Sequence, residues 1–111
     1  MIRLLVIDDD YFDIMAFKRF FKNIDTIELE TVQSISDAID KIKKSTFDIL
    51  ISDFNLKDGN AFELLEVKGN IPIVIITGVD SGQIALEALK VGAYDFIVKD
   101  SKGDYIKTLP I

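Results

Sequence analysis

Short continuous apolar runs alternate along the chain with segments whose apolar residues recur every three or four positions. The first kind reads as strands buried on both faces, the second as amphipathic helices. Ile2 to Ile7 is the first strand. Asp10 stands at an N-cap position ahead of Ile14, Phe17, Phe20 and Phe21, which predicts a helix to about Lys22. Ile27 to Val32 alternates and reads as an edge strand. Ser36 to Lys44 is helical, with Ala38, Ile39 and Ile42 on one face. Phe47 to Ser52 is a second buried strand, and Asp53 follows it. Ala61 to about Lys68 reads as a short helix, ended by Gly69-Asn70. Ile71 to Ile76 is a strand with Pro72 near its start. Asp80 and Gln83 have capping-box spacing ahead of a helix to about Val91, and Gly92 suits its left-handed end. Tyr94 to Val98 is the last strand.

Five strands alternating with helices indicate an α/β fold with a parallel sheet covered on both faces. Right-handed crossovers limit the topology to a doubly wound sheet. In such sheets function gathers beyond the carboxyl ends of the strands.

The chain has 111 residues, enough for one domain and too few for a barrel of about 250. With 13 basic and 19 acidic residues the net charge is −6, and no basic run marks a nucleic-acid surface. There is no His and no Cys, which excludes thiolate zinc sites, Cys nucleophiles and His general bases. Any metal must be held by oxygen, favouring magnesium, calcium or manganese. No apolar run approaches the about 18 to 20 residues of a membrane span, and the opening run is too short for a signal peptide. The expectation is a soluble cytoplasmic domain without membrane contact.

The residues that follow the strands carry the candidate chemistry. Asp8, Asp9 and Asp10 follow the first strand, Asp53 and Asn55 the third, Thr77 and Gly78 the fourth, and Lys99 the fifth. Each alone is an ordinary turn or surface residue. Together they would converge on one rim. Carboxylates crowded in one cleft must take up a proton or a cation, and magnesium commonly takes one or two carboxylates with waters and a phosphate. A carboxylate beside such a cation can attack phosphorus, with a hydroxyl and an ammonium holding the phosphoryl oxygens. That describes phosphoryl transfer to an aspartate.

At these residues the chain resembles a response-regulator receiver domain of two-component signalling, in the CheY-like superfamily. The resemblance runs from Ile2 to Lys99 through Leu5-Val6-Ile7-Asp8-Asp9-Asp10, Ile51-Ser52-Asp53-Phe54-Asn55-Leu56, Ile75-Ile76-Thr77-Gly78 and Gly92-Ala93-Tyr94-Asp95-Phe96-Ile97-Val98-Lys99. It implies a flavodoxin-like sheet of order 2-1-3-4-5. It implies Asp53 as phospho-acceptor, and magnesium (or manganese) held by Asp8, Asp9, Asp53 and the backbone carbonyl of Asn55. Lys99 would pair with Asp53 and then with a phosphoryl oxygen. Thr77 would donate its hydroxyl to the phosphoryl group, Gly78 would leave the path to Asp53 open, and Phe96 would be the aromatic switch that follows Thr77. The implied partners are a histidine kinase or phosphotransfer protein and a downstream effector domain. The only catalysis implied is the domain's own phosphorylation and dephosphorylation.

The chain departs from the family pattern in several places. Asp100 follows Lys99 where the family has a cis-proline, so a trans bond is expected. Lys57 and Ala61 replace a usual Pro and Gly. Val79 is apolar, which suggests hindered water and slow dephosphorylation. Only 12 residues follow Lys99, too few for the family's last helix. Residues 1–111 are therefore expected to be a single receiver domain from a longer multidomain protein, with uncovered apolar sheet surface that invites homodimerisation. Two other readings compete. One is a pseudo-receiver that serves only as an interaction module. The other is a haloacid-dehalogenase-like phosphatase, with Asp8 as nucleophile and Asp10 as acid.

Overall fold

The computed structural model of the chain describes residues 1–78 and 82–111. The expectations attached to Val79 and to a cap at Asp80 lie outside the described residues. Five parallel strands form the sheet: β1 (Ile2–Ile7), β2 (Ile27–Val32), β3 (Ile49–Asp53), β4 (Ile73–Thr77) and β5 (Asp95–Val98). Their order is β2-β1-β3-β4-β5, as the resemblance implies. Among the described residues four helices connect them: α1 (Tyr11–Phe21), α2 (Ile35–Lys44), α3 (Phe62–Leu65) and α4 (Gly82–Lys90).

Alternation along the strands divides the core between two faces. Leu5, Ile7, Leu50, Ile73 and Ile75 meet Ile35, Ala38, Leu64 and Ala88 from α2, α3 and α4. Leu4, Val6, Ile51, Val74 and Ile76 meet Phe17 and Phe21 of α1. The edge strand β2 is only partly buried, as its alternating pattern predicts.

Local chemistry sets the boundaries. Asp10 caps α1, its Oδ1 accepting the Phe12 N–H at 2.8 Å. Helix α2 starts at Ile35, one residue earlier than expected, because Ser34 is the cap and its Oγ accepts the Asp37 N–H at 3.0 Å. The third strand starts at Ile49 rather than Phe47. Phe47 is buried under the Arg3 guanidinium, 4.9 Å from its ring centre, before the ladder begins. Pro72 cannot donate, so β4 starts at Ile73, two residues after the expected Ile71, although the Pro72 carbonyl still accepts the Leu50 N–H at 2.9 Å. Gly92 is left-handed at φ +113°, as expected after α4. The Lys99–Asp100 bond is trans.

The chain beyond β5 corrects one expectation. A 3-10 turn (Asp104–Thr108) follows, and Tyr105, Ile106 and Leu109 are buried against the α1 face of the sheet. The apolar surface expected to lie bare there is thus covered by two side chains of a short turn and by Leu109, which caps it. The turn is tied to the end of β5: the Asp100 carboxylate accepts the backbone N–H groups of Tyr105 at 2.8 Å, Asp104 at 3.1 Å and Lys102 at 3.3 Å.

Candidate functional site

Parallel register aligns the carboxyl ends of the central strands. Ile7 lies opposite Ser52, Asp53 opposite Ile76, and Thr77 opposite Val98. The next residues therefore emerge on one rim. The backbone N–H of Lys99 donates to the Thr77 carbonyl at 2.8 Å, which extends this alignment by one position.

Carboxylate oxygens of Asp8, Asp9 and Asp53 lie within 4.8 Å of one another. Asp8 is 2% exposed, and Asp9 and Asp53 are half-buried. Asp8 is held on both oxygens: Oδ1 accepts the Asp10 N–H at 2.9 Å and Oδ2 accepts from Lys99 Nζ at 2.9 Å. Asp53 Oδ1 accepts the Phe54 N–H at 3.0 Å, while its Oδ2 is 3.4 Å from Lys99 Nζ.

Burial shapes the charges. Desolvation pushes Asp8 up to about 6, against the pull of Lys99 and the Asp10 N–H. Desolvation also raises Asp53, again with Lys99 pulling the other way. Burial alone would lower Lys99. Hydrogen bonds to Asp13 and Asp8, together with the Asp8 and Asp53 charges, reverse that and hold the ammonium above its ordinary range. Oxygens this close, from three carboxylates, suit a hard divalent cation with oxygen ligands.

The other residues singled out from the sequence fall around this cluster. Thr77 is buried at the end of β4. Gly78 follows it, exposed, and a Cβ built there would meet nothing within 4 Å. Phe96 is half-buried on β5, packed on the core face shared with α4. Asn55 is exposed and opens a two-residue antiparallel hairpin with Gly59–Asn60. Asp10 serves as the α1 cap.

One member of the cluster has no counterpart in the sequence reading. Asp13, in the first turn of α1, accepts from Lys99 Nζ at 2.6 Å, the shortest of the three carboxylate contacts that Lys99 makes among the described residues. The only sequence signal was an acid three residues beyond the Asp10 cap, a common helix-start feature. Asp58 was also missed. Its two carboxylate oxygens accept the Ile35 and Ser36 N–H groups at 2.9 and 3.0 Å, tying the loop after β3 to the start of α2.

Residues 4–109 match the family model of the response regulator receiver domain. The chain belongs to this family. This receiver domain is 27% identical to the two-component response regulator ARR2 of Arabidopsis thaliana, over 97% of this chain and 17% of that protein. The non-phosphorylated HemR receiver domain from Leptospira biflexa superposes with a TM-score of 0.80 at 28% identity, covering 89% of this chain and 82% of that one. A two-component response regulator from Clostridium difficile gives a TM-score of 0.82 at 26% identity, covering 97% and 93%. The receiver domain spans about a sixth of the length of the first curated relatives it matches. Among the described residues no helix is long and apolar enough to cross a membrane.

Proposed function

We propose that this receiver domain accepts a phosphoryl group on Asp53 from a phosphohistidine of a histidine kinase or phosphotransfer protein. The phosphorylated domain then switches conformation to control an effector, in the cytoplasm. The observation that carries the reading is the convergence of Asp8, Asp9 and Asp53 oxygens within 4.8 Å, with Lys99 3.4 Å from Asp53.

Magnesium, held by Asp8, Asp9, Asp53 and the Asn55 backbone carbonyl, would supply the charge neutralisation that phosphoryl transfer demands. The remaining work falls to the chain. Asp53 Oδ2 attacks phosphorus, forming an O–P bond as the donor's N–P bond breaks. The imidazole departs with the electron pair and is protonated from solvent. Lys99 turns its ammonium to a phosphoryl oxygen, and the Thr77 hydroxyl donates to another. Movement of Thr77 opens space for Phe96 to turn inward, a shift between two populated states. Asp8 is a poor alternative nucleophile, because it is buried and both its oxygens are engaged.

Phosphosite mapping by mass spectrometry tests this. The chain is incubated with acetyl phosphate, with and without magnesium, beside Asp53→Asn and Asp8→Asn. A magnesium-dependent label on Asp53 is expected, absent from Asp53→Asn. A transient label on Asp8 with continuous phosphate release would establish the phosphatase reading instead. A folded, magnesium-binding chain without any label would point to a pseudo-receiver.

A further inference from the structure

Lys99 has more partners than the proposed chemistry uses. Its ammonium lies 2.6 Å from Asp13, 2.9 Å from Asp8 and 3.4 Å from Asp53. The Asp13 contact is sheltered, with side-chain exposures of 15% for Lys99 and 25% for Asp13. An ion pair this short and this shielded keeps much of its strength. In the resting domain the ammonium is therefore held by α1 more closely than by the phospho-acceptor.

The same side of α1 carries a second unusual feature. Phe17 lies one helical turn beyond Asp13, and its ring meets the Tyr105 ring edge-on at 6.0 Å. Tyr105 is 4% exposed, and among the described residues its hydroxyl is a buried side-chain polar atom with no hydrogen-bond partner. Buried hydroxyls are nearly always paired, so the Tyr105 hydroxyl is a donor that calls for an acceptor. After burial itself, the Asp13 charge is the strongest influence raising the Tyr105 hydroxyl's pKa, ahead of Asp8 and Asp53. The turn that carries Tyr105 is anchored on Asp100, the residue next to Lys99.

We infer, on the reading of Asp53 as phospho-acceptor, that Asp13 is a positioning residue that draws Lys99 towards α1 at rest, and that it exchanges Lys99 for the Tyr105 hydroxyl when Asp53 is phosphorylated. A phosphoryl group brings nearly two negative charges and strong acceptor oxygens, which outbid a carboxylate for the ammonium. Asp13 then loses its cation, and the Tyr105 hydroxyl, on the ring that packs against Phe17 one turn along α1, is the donor we assign to it. No proton changes owner: Lys99 stays an ammonium and Tyr105 a phenol. The exchange ties the chemistry at Asp53 to the C-terminal turn.

The test uses the 111-residue chain with Asp13→Asn, Asp13→Glu and Tyr105→Phe. Acetyl phosphate with magnesium reports the rate of Asp53 labelling. Beryllofluoride, a stable phosphoryl mimic, reports the tyrosine band in near-ultraviolet circular dichroism. Asp13→Asn should label about five- to tenfold faster, the scale of one sheltered charged hydrogen bond, and Asp13→Glu should return towards wild type. Beryllofluoride should change the wild-type tyrosine band, and that change should vanish in Tyr105→Phe and shrink in Asp13→Asn. A purely structural Asp13 would lower the unfolding midpoint without speeding the label. Wild type that labels, with Asp13→Asn no faster and the tyrosine band unmoved, overturns the exchange alone. Wild type that takes no label on Asp53 removes the reading beneath it.

Discussion

Lys99 sits 2.6 Å from Asp13 and 3.4 Å from Asp53, so a cation from the end of β5 is anchored on the first turn of α1. It is also 2.9 Å from Asp8, and its side chain is only 15% exposed. Replacing it with an uncharged chain of similar length removes the cation that three sheltered carboxylates share. Lys99→Met should therefore destabilise the metal-free domain by about 2 to 4 kcal/mol, somewhat under the full cost of breaking a buried pair. Magnesium should return part of that loss. Urea unfolding with chelator and with magnesium checks both, and equal midpoints for Lys99→Met and wild type would contradict the arrangement.

The proposed magnesium site predicts a stability that depends on the divalent ion. A ligand that binds only the folded chain at a hundred times its dissociation constant stabilises by about 2.7 kcal/mol. Asp9 is half-buried within the three-carboxylate cluster. In Asp9→Asn most of the magnesium-induced rise in the unfolding midpoint should disappear, while the midpoint in chelator changes little. Calorimetric titration of the folded chain should show the matching loss of affinity. A full magnesium response in Asp9→Asn would move the ion elsewhere.

Much of this was legible in the sequence because it depends on neighbours along the chain. Continuous apolar runs gave the strands, and Asp10 gave the start of α1 through a bond to Phe12, two residues on. The strand-end acids were legible because parallel register lines up the ends of β1, β3, β4 and β5. What escaped depends on distant residues. Asp13 meets Lys99 across 86 positions, and Asp58 reaches α2 across 23. Pattern cannot foresee either, since both acids also suit exposed turns. The cover from Tyr105, Ile106 and Leu109 escaped because so short a segment reads as too little helix, although a tighter turn and its cap can still bury three side chains.

Asp58 gives the molecule a pH signature. Bonds from the Ile35 and then the Ser36 N–H stabilise its charged form and hold its carboxyl below the ordinary 3.8. A depressed carboxylate contributes stability that is fully present above its unfolded value and is lost as pH falls through its folded one. At neutral pH, Asp58→Asn keeps one acceptor oxygen but loses the second and the charge, and should unfold about 2 to 6 degrees earlier. That gap should close as the pH drops below about 4. Thermal melts of both proteins from pH 7 to pH 2.5 measure it. A gap that stays constant across the range would assign the effect to packing instead of charge.

The C-terminal turn should behave as part of the core. Ile106 is 3% exposed and packs in the cluster with Leu4, Val6, Ile51, Val74 and Ile76. Shortening it leaves a cavity against strands that cannot move to fill it, because each is held on both sides by parallel ladders. Ile106→Ala should cost about 2 to 4 kcal/mol. Asp100 acts on the same turn from outside, through its three backbone N–H acceptances. Asp100→Pro restores the family's usual residue but removes that carboxylate, so it too should lower the midpoint and weaken the near-ultraviolet signal of Tyr105. The two changes loosen one element from opposite sides. Their combined loss in urea unfolding should therefore be smaller than the sum of the single losses. Strict additivity would mean that Asp100 does not hold the turn against the sheet.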